Sequence, residues 1–440
     1  MRFSAVLLAS SLLLAPAAQA APNPKAMKAT VERHTSAHWG ELEALYRDLH
    51  AHPEVAFQEV RTGALLAGKL RGLGFEVTEK IGKTGIVGVY KNGAGPTVLV
   101  RVEMDGLPME DKTGLPWASR AQQVVDGKTT FTAQACGHDI HMAWWLGTAQ
   151  ALLAMKDQWR GTLVFIGQPS EEIGEGARAM LADGLFTRFP KPDYAFAAHV
   201  GAARAGEVEV KQGPATSNSD SIRVTFNGQG AHGSMPDKSI DPIVMGGHFV
   251  SDVQSVIARQ KDPQKFGVIT VGSFHSGTVA NIIPDSATLQ LTLRSYEPEV
   301  RKQLIEGVKI TAKAVADMAL APAPEVVRFG GATSVFNNEA LAASTAGYFQ
   351  SAGLANVRLE PTAKAGWTAS EDYSEYVLAG VDKSVFFSIG GSDPALLEKL
   401  KAQGKPVPVN HSPFFAPLAE PAIRAGVQVL SLAVLSVAGK

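Results

Sequence analysis

Short β-branched runs alternate with helical stretches along most of this chain, and that alternation admits few folds. Residues 85–90 (GIVGVY), 97–102 (TVLVRV), 162–167 (TLVFIG) and 194–198 (YAFAA) are apolar segments, and each reads as a buried strand. Around and between them, residues 39–50, 56–71 and the stretch from Cys136 to about residue 155 carry apolar side chains at helical spacing, Leu42, Leu45, Tyr46 and Leu49 among them. A further short helix is expected near 177–182. Strands alternating with helices imply an α/β layer architecture.

The pattern changes near residue 217. Residues 221–227 (SIRVTFN) alternate with period two, as a strand with one wet face does. A helix is expected over 242–259, strands over 267–273 and 287–295, and a helix over 298–319. This order suits a small antiparallel sheet with helices on one face. The α/β signal resumes past residue 329, with a helix over 338–351, a strand over 384–389 and a helix over 421–438. The expected fold is therefore a mixed-sheet α/β catalytic domain made of residues 21–216 and 330–440. A smaller α+β domain, residues 217–329, is inserted into it. About 420 residues exceed a single ordinary core, which agrees with two domains.

Residues 1–20 read as a secretory signal: Arg2 is followed by an apolar stretch (AVLLASSLLLA, 5–15), and Ala18-Gln19-Ala20 offers a small-x-small cleavage site. The stretch is too short to anchor the chain in a bilayer, and no other window reads as a membrane span. The mature protein is expected to be secreted, and periplasmic in a bacterium. Lys plus Arg (41) nearly balance Asp plus Glu (42), so no charge bias toward nucleic acid or acidic membranes exists. The single cysteine, Cys136, excludes an intramolecular disulfide. In an oxidising compartment a lone thiol is a liability unless it is buried or ligated.

The polar residues of chemical interest fall just past the apolar strands. Asp105 follows 97–102, Glu171 and Glu172 follow 162–167, and His199 ends 194–198. Open α/β sheets bind ligands at the carboxyl ends of their strands. Cys136-Gly137-His138 places a thiol and an imidazole two residues apart at a helix start, a pair suited to zinc and its first-row neighbours. Of the adjacent carboxylates, one can ligate a metal while the other serves as general base toward water. Taken singly, a buried inert cysteine or a solvated acidic turn accounts for these features equally well.

Ten motifs occur in order: LHAHPEVAFQE (49–59), EMDGLPM (103–109), ACGHDIHMAWWLG (135–147), GQPSEEIGEGARAM (167–180), AAHV (197–200), GQGAHGSMP (228–236), DPIV (241–244), NIIPDSATLQLTLR (281–294), SEDY (370–373) and NHSPFF (410–415). Together they resemble the co-catalytic metallopeptidase and aminoacylase family, in its amidohydrolase branch of hippurate, auxin-conjugate and N-acyl-amino-acid hydrolases. The resemblance runs from about residue 40 to 435. It implies two divalent metal ions per subunit, zinc foremost with manganese, cobalt or nickel as alternatives, on Cys136, His138, Glu172, His199 and His411. Glu171 falls on the catalytic base and His232 on a histidine that reaches across a dimer interface to polarise the substrate carbonyl. Asn281 and Arg294 fall on substrate-contacting positions, and Asp105 on a residue that orients a ligand imidazole. His141 reads as helix packing or support for a ligand.

The implied activity is hydrolysis of N-acyl amino acids, or related small amides with a free carboxylate, by a metal-activated water. A secreted carboxypeptidase or dipeptidase is the alternative within the class. The implied assembly is a homodimer or higher homo-oligomer. Glu103, Ala133-Gln134, Met142 and Glu175 depart from the branch pattern near the pocket, which loosens inference of the substrate. A cysteine hydrolase built on Cys136 leaves Glu172, His199 and His411 without a role, and a solute-binding protein leaves Glu171 without one.

Overall fold

The computed structural model describes residues 23–440, so the segment read as a secretory signal lies outside the described residues. An eight-stranded mixed sheet forms the larger part. Its four central strands, Gly161–Gln168, Thr97–Glu103, Tyr194–Arg204 and Ser384–Ser392, are parallel neighbours in that order. Antiparallel Gly85–Asn92 and Glu76–Ile81 extend one side. Val208–Lys211 and Val357–Glu360 extend the other.

Alternation along the central strands feeds two cores. Val98, Val100 and Val102 face a helical layer containing His138–Ala154 and Ala419–Ala438, whereas Leu99 joins Val164 and Ile166 on the opposite face. His138–Ala154 is buried from His138 to Leu152, so it is a central helix without a wet face. Gly426 lets Ala419–Ala438 approach it closely: a Cβ there would lie 2.3 Å from the Trp144 ring. By length and composition this C-terminal helix could cross a membrane, which corrects the sequence reading that no such window follows the signal. It is instead a core helix, with 67 % of its apolar window buried.

A second sheet, four-stranded and antiparallel, runs between Asn218 and Gly330 with strand order Gly267–Ser276, Ser286–Ser295, Asn218–Asn227, Glu325–Gly330. Pro242–Asp252 and Pro298–Met318 cover one face, where Ile222, Val224, Phe249, Leu291, Leu304 and Val308 form a core of their own. The helix expected over 242–259 stops at Asp252, and Val256–Gln260 is a separate wider turn. Pro24–Ala37, Pro394–Ala402, the strands Glu76–Ile81 and Glu325–Gly330, and the hairpin Gln122–Val125/Lys128–Phe131 had no sequence expectation.

A buried ion cluster fastens the N-terminal helices to this frame. His50 Nδ1 lies 2.7 Å from Asp139 Oδ2, and His50 Nε2 lies 3.0 Å from Asp111 Oδ2. Burial alone would lower the His50 pKa, but the two carboxylates outweigh it and raise it to about 9. A raised folded-state value means the contribution is complete below the ordinary 6.5 and fades as pH climbs through about 9. His50→Ala leaves two buried carboxylates without their cation, and a loss of about 3–5 kcal/mol is expected. Urea denaturation read by circular dichroism checks this; the gap between wild type and variant should narrow as the pH is taken above about 9.

Candidate active site

Asp105, two residues past the end of Thr97–Glu103, is fully buried and organises two other segments. Its carboxylate accepts the backbone N–H groups of Glu171 and Glu172, each at 3.0 Å. Its main-chain carbonyl accepts the His138 Nδ1–H at 2.7 Å. The imidazole is thus oriented by the main-chain carbonyl of Asp105, while the carboxylate is committed to the turn that carries the glutamates. Ser170, at the entry to that turn, sits at φ +53 and is held through its N–H by buried Glu59 at 2.8 Å.

With Nδ1 protonated, His138 Nε2 is an acceptor; it is buried, has no hydrogen-bond partner, and lies 3.9 Å from both Glu171 Oε2 and Glu172 Oε1. Glu172 Oε1 is likewise buried without a partner, while Glu172 Oε2 lies 3.2 Å from His411 Nε2. His199 donates from Nδ1 to the Val200 carbonyl at 2.8 Å, which leaves its Nε2 lone pair 3.4 Å from Cys136 Sγ. Asn410 donates to the carbonyls of both Cys136 and Val200 at 3.0 Å, drawing the His411 loop onto the site. The five residues of ligand type therefore converge.

The electrostatics suit a cation. Burial, then Glu371 and Glu172, push the Glu171 pKa well above its ordinary range. Burial and the two glutamates push the Cys136 thiol up as well. Burial and the neighbouring histidines hold His138 far below 6.5, and His199 falls to about 3. Crowded acidic groups whose anions are penalised, beside neutral imidazoles, with two orphaned ligand atoms among them, are the state that divalent metal relieves. The donor set of thiolate, imidazole and carboxylate fits first-row ions.

His141 adjoins this cluster, but both its nitrogens are engaged. Nδ1 lies 3.0 Å from Glu103 Oε2, and Nε2 accepts the Val200 N–H at 2.9 Å. No lone pair remains for a metal, so His141 is a spacer whose ring stacks on Trp144 at 4.5 Å.

A cleft of about 480 Å³ opens over these groups, lined by Cys136, Glu171, Glu172, His199 and His411 from the larger part. Arg294 and Ser219, from the second sheet, line its far side. Among the described residues the Arg294 guanidinium bonds to the Ser219 hydroxyl and the Leu293 carbonyl, and to no carboxylate. His232 and Asn281 do not line this cleft. They sit on a separate two-stranded ribbon in which His232 pairs with Ile282 and the Gly233 N–H bonds to the Asn281 carbonyl. Asn281 and Arg294, expected to hold one substrate group together, are thus placed apart within a single chain.

Comparisons with known proteins agree with this geometry. Residues 99–435 match the family described as peptidase family M20/M25/M40. The chain belongs to that family. It is 38 % identical over 283 residues to a hippurate hydrolase of Campylobacter jejuni, covering 63 % of this chain and 70 % of the relative. It is 35 % identical over 279 residues to an N-acetylcysteine deacetylase of Bacillus subtilis, covering 61 % and 69 %. A solved dinuclear metal-binding peptidase of the M20 family from B. subtilis superposes with a TM-score of 0.73 at 27 % identity, over 91 % of this chain and 99 % of that one. As a member of this family the protein is a metal-dependent amidohydrolase, with the α/β fold and inserted domain of its relatives.

Sequence reasoning passed over Arg101, Glu59 and Asn410. Arg101 was visible as a charge inside an apolar strand; it is fully buried and binds Glu103, Glu371 and Asp372 beneath the cleft. The Asp105 analysis gives a direct test. Asp105→Asn retains the shape but replaces one acceptor oxygen with an amide that cannot accept a backbone N–H. Activity or metal affinity should fall about 10–100-fold, read by steady-state rates and elemental analysis, with the circular dichroism spectrum unchanged.

Proposed function

We propose that this protein hydrolyses the amide bond of N-acyl amino acids or closely related amides that carry a free carboxylate. The observation that carries this reading is the juxtaposition, in one cleft, of the Glu171–Glu172 cluster and the unpaired guanidinium of Arg294. Cys136, His138, Glu172, His199 and His411 would hold two divalent ions. When bound, those ions supply Lewis acidity for the amide carbonyl and acidify the attacking water.

The chain's own residues do the rest. Among the described residues no hydrogen-bond donor reaches the Glu171 carboxylate, whose nearest basic nitrogen is His138 Nε2 at 3.9 Å, and its raised proton affinity suits a base that takes a proton from water and returns it to the leaving amine. Arg294 holds the substrate carboxylate through a planar fork of donors. Names among the relatives, hippurate hydrolase and N-acetylcysteine deacetylase, fit an acyl group on one side of the bond and an amino acid on the other.

His232 has its part in this scheme from a second copy of the chain. Its Nδ1 accepts the Ser234 N–H at 3.2 Å, so the neutral ring carries its proton on exposed Nε2, where it can donate to an oxyanion. Ile282, paired with it, and Met235 and Val279, each three residues beyond the ribbon in sequence, are all more than half exposed, as a surface awaiting a partner is. A homodimer in which each ribbon completes the other's cleft accounts for both facts.

Three outcomes are expected. Glu171→Gln should retain metal and lose about 10²–10⁴-fold in kcat, whereas Glu172→Gln should lose metal, as measured by elemental analysis. Reversed metal contents would reverse the two roles. His232→Ala should lower kcat about 10²–10³-fold, and mixing it with Glu171→Gln should restore activity as subunits exchange; exchange without recovery refutes action in trans. Across N-acetyl, N-benzoyl and dipeptide substrates, Arg294→Ala should raise KM for free carboxylates and leave their methyl esters little changed.

A further inference from the structure

A second cavity, also of about 480 Å³, shares no lining residue with the cleft. It lies among the helices Pro24–Ala37, Trp39–Ala51, Val60–Gly72 and His138–Ala154. His38 joins Pro24–Ala37 to Trp39–Ala51, and its ring stacks on that of His34, four residues earlier, with centroids 4.1 Å apart and planes at 26°. His38 Nδ1 lies 2.9 Å from the His34 carbonyl oxygen, which can only accept, so His38 Nε2 presents a lone pair. Among the described residues His34 Nε2 is buried and has no partner.

The opposite wall also presents acceptors. Gln150 is 7 % exposed, and its amide is fixed by donation to Glu41 Oε2 at 3.0 Å, which leaves its Oε1 buried without a partner. The other Glu41 oxygen takes Lys69 at 2.8 Å, so the nearby cation is spent on that carboxylate. The space is kept open by Gly68 and Gly72, one turn apart, where an added Cβ would meet nothing within 4 Å. Glycine is disfavoured inside a helix against alanine, and no close contact demands it here. Burial and His38 hold His34 below its ordinary pKa, so the ring is neutral, as a ligating imidazole must be.

We propose that His34 and His38 bind one first-row divalent cation, with Glu41 and Gln150 facing its remaining positions through water. Paired imidazoles select zinc, nickel or copper over calcium and magnesium. The site is additional to the catalytic centre and uses none of its residues.

The test is a Zn²⁺ titration of the metal-stripped full-length protein in competition with a chromophoric chelator. Wild type should bind one equivalent more than His34→Ala or His38→Ala, and all three should hydrolyse substrate equally once metal is supplied. Gly68→Leu, which fills the cavity and leaves both histidines in the chain, should lose the same equivalent. Equal stoichiometry in wild type and variants, or an extra equivalent that survives both histidine substitutions, would overturn the proposal. Should the alanine variants fail to fold, His34→Gln and His38→Gln, which keep a polar side chain, take their place in the same titration; loss of one equivalent in both supports the site, and an undiminished equivalent in both refutes it.

Discussion

The hydrogen bonds of Asp105 are the constraint on which the catalytic centre depends. Parallel pairing places Glu103 opposite Gln168, so the residues just beyond these two strands emerge side by side. Asp105 exploits this: one carboxylate aligns the backbone of both glutamates, and its carbonyl fixes the tautomer of His138. Three functional side chains from two segments are thereby referred to a single residue at a strand end. A carboxylate this deeply buried is tolerated because both its oxygens accept N–H donors, which offsets part of the desolvation.

The fold and the convergence of the ligand-type residues were legible in the sequence to different depths, for physical reasons. Apolar runs such as 97–102 and 194–198 mark central strands because burial on two faces demands unbroken hydrophobicity. Glu76–Ile81 and Val357–Glu360, at the sheet edges, are half exposed and polar, so no such pattern announces them. The helix expected over 242–259 keeps its apolar periodicity to Val256, but the backbone leaves regular helix after Asp252, which periodicity does not register. Asp105, Glu171, Glu172 and His199 were readable because strand ends are where an α/β sheet exposes its chemistry. The separation of His232 and Asn281 from the cleft was not, since it depends on where a two-residue ribbon projects from the second sheet.

Beneath the cleft, Arg101 shows how the site tolerates its density of negative charge. Its guanidinium is completely buried and meets Glu103, Glu371 and Asp372. Even so, burial keeps Glu371 and Asp372 near 7, because one cation is shared among several carboxylates. Asp372 also accepts the Ala177 N–H and the Gln168 amide, which ties the SEDY segment to the helix after the catalytic turn. Glu103 spans from Arg101 to His141 and so couples this cation to the ring packed against His199.

His411 differs from the other four residues of ligand type. Cys136, His138 and His199 are buried and the Glu172 side chain is 5 % exposed, whereas the His411 side chain is 57 % exposed and its backbone sits at φ +69. A non-glycine residue in that region costs of order 1–3 kcal/mol unless its surroundings hold it. Here its N–H is taken by the Ala135 carbonyl, and neighbouring Asn410 spans from Cys136 to Val200. The loop is therefore anchored to the same two segments that carry Cys136 and His199. Backbone contacts, not packing, place the imidazole, so the cluster is preorganised at its base and open at its rim, where a substrate has to enter.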